Sequence, residues 1–252
     1  MRNLAAGTCF FEADPTLSIA RRAFAEGIGT MFLMLAIGGA GVVAQRLAHG
    51  SALAALAVSA IVASRALIAL IVSFGPVSGG HFNPLISSLQ WLAGERRLDC
   101  TMVYVAVQSA GAIGGALLVN FLFDLGANMA TTPVGLREVA SELVATAALM
   151  IVVFACARSG RRDIGPVAVG AWLAAAMVVM PSGSYANPSI VLAALVVAGS
   201  VALSPHTALL YLAAQIAGGL LAFFVVAVFY PAPAEAESGQ ATVGVAHSKP
   251  EL

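Results

Sequence analysis

The sequence predicts an all-α membrane protein with six transmembrane helices, two re-entrant half-helices and an inverted internal repeat. Apolar residues make up 60% of the 252 residues and charged residues only 10%, whereas about a quarter of the residues in soluble domains are charged. Six long apolar stretches are separated by short polar breaks. Two Asn-Pro pairs, at Asn83 and Asn187, each open a short apolar segment. These three observations predict the fold class.

The six apolar stretches set the predicted spans. A bilayer core about 30 Å thick requires about 20 apolar residues in a spanning helix. Stretches of this kind cover residues 20–44, 52–74, 101–123, 141–157, 164–180 and 208–230. The breaks between them carry Gly, Pro or charge, as in Gly94-Glu95-Arg96-Arg97. Six crossings place both termini on the same side of the lipid bilayer.

Basic residues are distributed unequally between the two sides of the membrane. Only Arg46 and Arg137 fall in loops opposite the termini. The side of the termini carries Arg2, Arg21, Arg22, Arg96, Arg97, Arg158, Arg161, Arg162 and Lys249. Because cytoplasmic loops are enriched in Lys and Arg, we expect both termini in the cytoplasm and the protein in the inner (plasma) membrane. The net charge of zero argues against a nucleic-acid partner.

The domain organisation follows from the repeat. We expect a cytoplasmic segment at residues 1–17, a first repeat at 18–124, a connecting loop at 125–140, a second repeat at 141–230 and a disordered cytoplasmic tail at 231–252. Three spans per half is an odd number, so the second half inserts upside down, as in many transporters and channels. Cys9, Cys100 and Cys156 share no metal-ligand spacing. No metal site and no cofactor is predicted.

The Asn-Pro pairs predict two half-helices, at residues 83–93 and 187–197. Pro84 and Pro188 suit the first helical turn, where the missing N–H costs nothing, and Asn83 and Asn187 suit the N-cap. The apolar part of each half-helix, residues 85–93 and 189–197, has nine residues. Nine helical residues rise about 13 Å, which is under half of the thickness of the bilayer core. Two such helices that enter from opposite faces meet near the midplane. Both asparagines and both positive dipole ends then face the same spot.

Three further polar residues are expected to support these half-helices. Glu26 and Glu142 lie in the first span of each half, and we expect buried carboxylates that accept backbone N–H groups from the re-entrant loops. A proton relay is the alternative. His81, close to Asn83, either braces its loop at the cytoplasmic vestibule or acts as a pH gate.

These motifs together resemble those of the major intrinsic protein family of aquaporins and aquaglyceroporins. The matching residues are Ser78-Gly79-Gly80-His81-Phe82-Asn83-Pro84, Asn187-Pro188, Glu26-Gly27-Ile28-Gly29-Thr30 and the Gln-x-x-Gly motifs at Gln108 and Gln215. The resemblance covers residues 18–230. It implies a passive channel for small uncharged solutes, one pore per subunit and a homotetramer.

Two departures from the family pattern concern the pore. Leu85 and Ser189 replace the alanine that usually follows Asn-Pro, which either repacks the junction or shifts the asparagine pair. Family spacing places the outer selectivity filter at four positions, and the last of them usually carries Arg. In this chain the four are Ala63, Ala175, Ser184 and Ile190.

Such a filter is expected to be wide, uncharged and mostly apolar. It predicts passage of glycerol and urea with water. It resembles the filters of wide arginine-lacking aquaglyceroporins linked to arsenic resistance, which suggests metalloid hydroxides or methylated arsenicals as further solutes. Arg65, inside the second span, is either an interface or snorkelling residue or a substitute for the missing filter arginine.

Two rival functions receive little support from the sequence. An ion- or proton-coupled transporter also fits an inverted repeat, but no pair of charged residues lies where coupling would require it. An enzyme is not predicted, because the spans contain no nucleophile–base pair and no metal-ligand spacing.

Overall fold

The computed structural model describes residues 16–48, 51–126 and 134–230. The predicted N-terminal segment before residue 16, the centre of the connecting loop and the predicted disordered tail lie outside the described residues. Within those ranges the regular structure is entirely helical. The helices are α1 (Ile19–Leu47), α2 (Ala52–Ser78), α3 (Pro84–Leu92), α4 (Leu98–Phe123), α5 (Leu136–Arg158), α6 (Gly165–Val179), α7 (Pro188–Ala193) and α8 (Pro205–Phe229). The predicted fold class is confirmed.

Five of the described helices, α1, α2, α4, α5 and α8, are long and apolar enough to cross a membrane. The sixth predicted span, α6, has only 15 residues, a length of about 22 Å. Prolines account for its bounds. Pro166 lies in the first turn of α6, and Met180 is extended because it precedes Pro181 and a residue before proline avoids the helical region.

The two halves pack in the same way. In the first half α1 packs against α2 and α4, and in the second α5 packs against α6 and α8. In each half a glycine of one helix lies directly against the backbone of another helix. A Cβ at Gly111 would overlap the carbonyl oxygen of Gly27, and a Cβ at Gly218 would overlap that of Leu143. Small residues at these positions therefore let the helix backbones come into contact.

The two short helices differ in length. Helix α3 spans nine residues, close to the predicted 83–93. Helix α7 spans only six and ends at Ala193, so the predicted half-helix 187–197 is too long. Beyond Ala193 the backbone forms tighter turns, with the N–H of Leu195 donating to Leu192 and that of Val196 to Ala193. The chain then leaves the helix axis and crosses one end of the bundle.

Candidate functional site

The two short helices begin at asparagine caps of the same geometry. The Oδ1 of Asn83 accepts the N–H of Leu85 at 3.0 Å, and the Oδ1 of Asn187 accepts the N–H of Ser189 at 3.0 Å. Both asparagines have extended backbones and a following proline in the first turn. Each cap therefore satisfies one otherwise unpaired N–H at a helix start.

The asparagines also bond across to the opposite half. The Nδ2 of Asn83 donates to the carbonyl oxygen of Ala186 at 2.9 Å, and the Nδ2 of Asn187 donates to that of Phe82 at 2.8 Å. Phe82 and Ala186 both adopt positive φ, 47° and 44°. Since a side-chain amide carries two N–H hydrogens, each asparagine keeps one after this bond.

The first re-entrant loop is held by Glu26, which is fully buried. Its Oε1 accepts the N–H of His81 at 2.9 Å and the hydroxyl of Ser78 at 2.6 Å. Its Oε2 accepts the N–H of Phe82 at 2.7 Å and the side-chain amide of Gln108 at 2.8 Å. One carboxylate thus satisfies four donors and fixes the backbone that leads into Asn83.

The second loop repeats this arrangement around Glu142, also fully buried. Its Oε1 accepts the N–H of Tyr185 at 2.8 Å and the hydroxyl of Ser182 at 2.7 Å. Its Oε2 accepts the N–H of Ala186 at 3.0 Å and the amide of Gln215 at 2.7 Å. The same four donor types appear in both halves, so each carboxylate has its full complement of partners within its own half.

His81 is the residue of the first loop that corresponds to Tyr185 in the second. Its Nδ1 lies 2.9 Å from the Oγ of Ser87, and its ring contacts Tyr104 edge-on at 5.7 Å. It is 3% exposed. These contacts favour a loop-bracing role over a gate that must move.

Two cavities meet at this centre. An inner cavity of about 50 Å³ includes both asparagines, His81 and apolar side chains of four spans, α1, α2, α5 and α6, and of the short helices α3 and α7. An outer cavity of about 510 Å³ opens beyond it. Its wall is mostly aliphatic, with serine hydroxyls and one glutamine. None of the described residues that line either cavity is Asp, Glu, Lys or Arg.

The cavities share one set of wall residues, called here the neck. The neck consists of Ile37 of α1, Leu173 of α6, Tyr185 of the second loop and Ile190 of α7. Three of the four side chains are aliphatic. These four uncharged residues therefore lie between the outer cavity and the asparagines.

A comparison with known protein families identifies the family of this chain. The profile of the family described as Major intrinsic protein matches residues 15–181. The chain belongs to the major intrinsic protein family. As a member, it is a multi-pass membrane protein that forms a passive channel for small uncharged solutes.

Individual relatives agree with this assignment. The aquaglyceroporin AqpS of Rhizobium meliloti is 38% identical over 178 residues, which cover 69% of this chain and 75% of that protein. A probable TIP-type aquaporin of Medicago truncatula is 28% identical over 91% of this chain and 94% of its own length. The X-ray structure of the aquaglyceroporin from Plasmodium falciparum shares the fold, with a TM-score of 0.64 and 18% identity over 84% of this chain and 96% of that one.

The four filter positions counted from the family spacing have different locations in the channel. Ile190 is a neck residue, and Ser184 lines the outer cavity. The Oγ of Ser184 is buried and has no hydrogen-bond partner among the described residues. Ala63 is fully buried, one helical turn from Ser59 of the outer cavity and from Leu67 of the inner one.

Neither Ala63 nor Ala175 lines a cavity, and Ala175 lies on the face of its helix opposite the cavity wall. It is exposed and lines neither cavity. The wall residues of α6 are instead Leu173 and Met177. Ala175 lies two residues from each, about 200° around the helix. Counting back from Asn187 therefore selects the wrong face of α6.

Arg65 also lies away from the pore. It is exposed at the centre of α2 and lines neither cavity. The geometry therefore does not support a substitute for the filter arginine, and the interface or snorkelling alternative remains.

The altered residue after the first Asn-Pro pair is accommodated by packing. Leu85 is buried and lies beside Gly219 of α8, where a Cβ would be 3.5 Å from its nearest methyl carbon. Leu85 lines neither cavity. Both asparagines keep matched caps and crossed bonds, which favours repacking over displacement of the pair.

Sequence reasoning did not select three of the neck residues, Ile37, Leu173 and Tyr185. The internal repeat offered a signal for Tyr185, which precedes Asn187 by two positions as His81 precedes Asn83. The four-residue spacing of Val169, Leu173 and Met177 marks one face of α6 but does not say which way that face points.

Proposed function

We propose that this channel passes water together with uncharged solutes of the size of glycerol and urea, or larger. The observation that carries the proposal is the neck, where Ile37, Leu173 and Ile190 present aliphatic side chains and where none of the described lining residues is an arginine. In this proposal the filter consists of these residues with Ser184 and Ala63, and Leu173 takes the role first given to Ala175.

The path through the pore has two chemical stages. In the outer cavity a solute bonds to serine hydroxyls such as those of Ser59 and Ser200, while its carbon skeleton contacts the aliphatic wall. Past the neck it reaches the free N–H hydrogens of Asn83 and Asn187, which replace bonds to water. Ions are opposed because the neck offers nothing that replaces their hydration shell, and the positive ends of α3 and α7 oppose cations.

Metalloid hydroxides are included in the proposed solute class. Arsenous acid is uncharged near neutral pH and presents three hydroxyl groups, as glycerol does. Methylated arsenicals combine hydroxyl groups with apolar methyl groups, which suits a wall that mixes serine hydroxyls with aliphatic side chains.

Stopped-flow light scattering on proteoliposomes tests the proposal. We expect water, glycerol and urea to cross faster than through protein-free liposomes, and trivalent arsenite uptake to rise in cells that express the chain. A channel that passes water but excludes glycerol would overturn the wide-neck proposal. The proposal includes neither catalysis nor coupling to an ion gradient.

The proposed orientation places both termini in the cytoplasm of the inner membrane. Arg22, Arg96 and Arg158 support it, because their contacts gather them at one end of the bundle. Arg22 and Arg96 both approach Cys100, and Arg158 pairs with Glu95 at 3.1 Å. A reporter enzyme that folds only in the cytoplasm, fused after residue 230, should be active.

A homotetramer is the proposed assembly. A charged residue at the centre of a spanning helix costs about 2.5–3.5 kcal/mol, and Arg65 is exposed there on α2. A neighbouring subunit against this face would supply polar partners. Native mass spectrometry should detect four copies, and Arg65→Leu should weaken the tetramer while Arg65→Lys retains more of it. A monomer across detergents would contradict the proposal.

A further inference from the structure

The chain that follows α7 crosses the outer end of the bundle and is fastened there by one asparagine. The Nδ2 of Asn120, near the end of α4, donates to the carbonyl oxygen of Val196 at 2.8 Å. Its Oδ1 accepts the N–H of Ala198 at 2.9 Å. A side-chain amide can satisfy one backbone acceptor and one backbone donor at once. Asn120 thus holds two backbone groups of the segment, in addition to the backbone bonds from the N–H of Ala202 to Gly199 and from that of Leu203 to Ala194.

A second fastening joins the same segment to the neck. The hydroxyl of Tyr185 donates to the carbonyl oxygen of Val201 at 2.9 Å. Tyr185 lines both cavities, and Val201 lines the outer one. This hydrogen bond therefore couples the position of the segment to the position of the Tyr185 side chain at the neck.

The segment also sits closely on α1. A Cβ at Gly41 would lie 2.6 Å from the Oγ of Ser200, closer than a real Cβ comes to any neighbour. Gly199 has φ of 94°, which favours glycine. Gly41 and Ser200 both line the outer cavity. Residues 196–203, called here the outer strap, therefore form part of the pore wall.

We infer that the outer strap sets the size limit of the neck through Tyr185, with Asn120 as the positioning residue that holds the strap in place. This inference rests on the proposed function. Tyr185 keeps its side chain at the neck only while Val201 stays within hydrogen-bond distance. Val201 stays there because Asn120 anchors the strap five residues earlier and Gly41 lets it approach α1.

The inference assigns a role in solute selectivity to Tyr185, which lines both cavities, and also to Asn120. Asn120 lines neither cavity, yet its loss should change which solutes pass. A merely structural residue would lower the flux of every solute in proportion to the amount of folded protein. A positioning residue instead changes the ratio between a large solute and a small one.

Tyr185→Phe and Asn120→Ala test the inference in proteoliposomes. The glycerol-to-water permeability ratio should rise by up to about fivefold in each variant. Loss of one hydrogen bond changes the fraction of molecules in which the side chain at position 185 stays at the neck by about that factor. The permeability ratio of the double variant should be close to that of either single variant, because both substitutions act on the same strap and such effects are not additive. The matched control is Tyr211→Phe, since Tyr211 packs against Tyr185 at 5.6 Å but lines neither cavity.

A labelling measurement covers the case in which a variant folds poorly. Ala198 is a buried residue of the strap, so Ala198→Cys should react slowly with a membrane-impermeant maleimide applied from outside, and faster when combined with Tyr185→Phe or Asn120→Ala. Unchanged labelling and an unchanged permeability ratio would overturn the inference. A wild-type protein that passes neither water nor glycerol faster than empty liposomes would instead overturn the proposed function.

Discussion

The side-chain amide of Asn83 donates a 2.9 Å hydrogen bond to the carbonyl oxygen of Ala186, across the junction of the two half-helices. Asn187 returns an equivalent bond to Phe82. Each half of the chain therefore completes the loop of the other. The junction of the two half-helices uses both asparagines as donors, and we expect a group of the same shape that cannot donate to disrupt it.

Asn83→Asp should reduce glycerol and water flux by about tenfold, because a carboxylate cannot donate to Ala186 and its charge is poorly accommodated beside a carbonyl. The introduced negative charge should also admit cations. Stopped-flow scattering measures the first effect and planar-bilayer conductance the second. Asn187→Asp is the symmetry-related partner and should behave alike. Unchanged flux in both variants would remove the asparagines from the proposed path.

Ile190→Arg should narrow the neck and lower glycerol flux more than water flux, because the guanidinium adds bulk and binds ordered water. Adding Ala63→Phe, one turn from each cavity on α2, should strengthen the discrimination. Ile190→Val is the matched control, since it preserves charge and nearly preserves volume. Permeabilities to water, glycerol and urea would be compared in the same vesicles. Equal losses for all solutes would argue against a filter at this depth.

Solute flux should follow the solute gradient and ignore imposed proton or sodium gradients. The reason is the lining, in which none of the described wall residues carries a formal charge as Asp, Glu, Lys or Arg. Radiolabelled glycerol uptake into vesicles with and without an ion gradient measures this. Accumulation above the external concentration would identify a coupled transporter instead.

Gly111→Ala should lower the thermal stability and the yield of folded protein, because its Cβ would overlap the carbonyl oxygen of Gly27. Gly114→Ala is the matched control, because a Cβ there meets no atom within 4 Å. It should be neutral or slightly stabilising, since alanine favours the helix by up to about 1 kcal/mol. Melting in detergent, followed by a thiol-reactive dye or by light scattering, distinguishes the two. Equal melting temperatures would contradict close packing of α1 on α4.

The sequence predicted the spans and both asparagine caps because these depend on local chemistry, namely apolar length and the Asn-Pro pair. It did not predict the end of α7 at Ala193. That end coincides with bonds from Asn120, which is 76 residues away from Val196.

The faces of the spans were equally hard to predict. Helix α6 is apolar on every side, so no amphipathic phase shows which residues face the pore. Ala175 was chosen by counting back from Asn187. That count passes through the irregular Pro181–Asn187 segment, so it does not show which face of α6 a residue occupies. Tyr185 was not predicted as a neck residue because only its position in the repeat, and no property of tyrosine itself, indicates that role.

The crossed asparagine bonds impose an order on biosynthesis. The acceptor for Asn83 lies 103 residues further along the chain. At about 5–20 residues per second, the ribosome needs about 5–20 s to deliver it. Throughout that interval the first half resides in the membrane with its re-entrant loop incomplete, and Phe82 likewise awaits Asn187. Maturation of the first repeat is therefore completed only after translation of the second, and a chain truncated before Asn187 should be recognised by membrane quality-control proteases as unfinished.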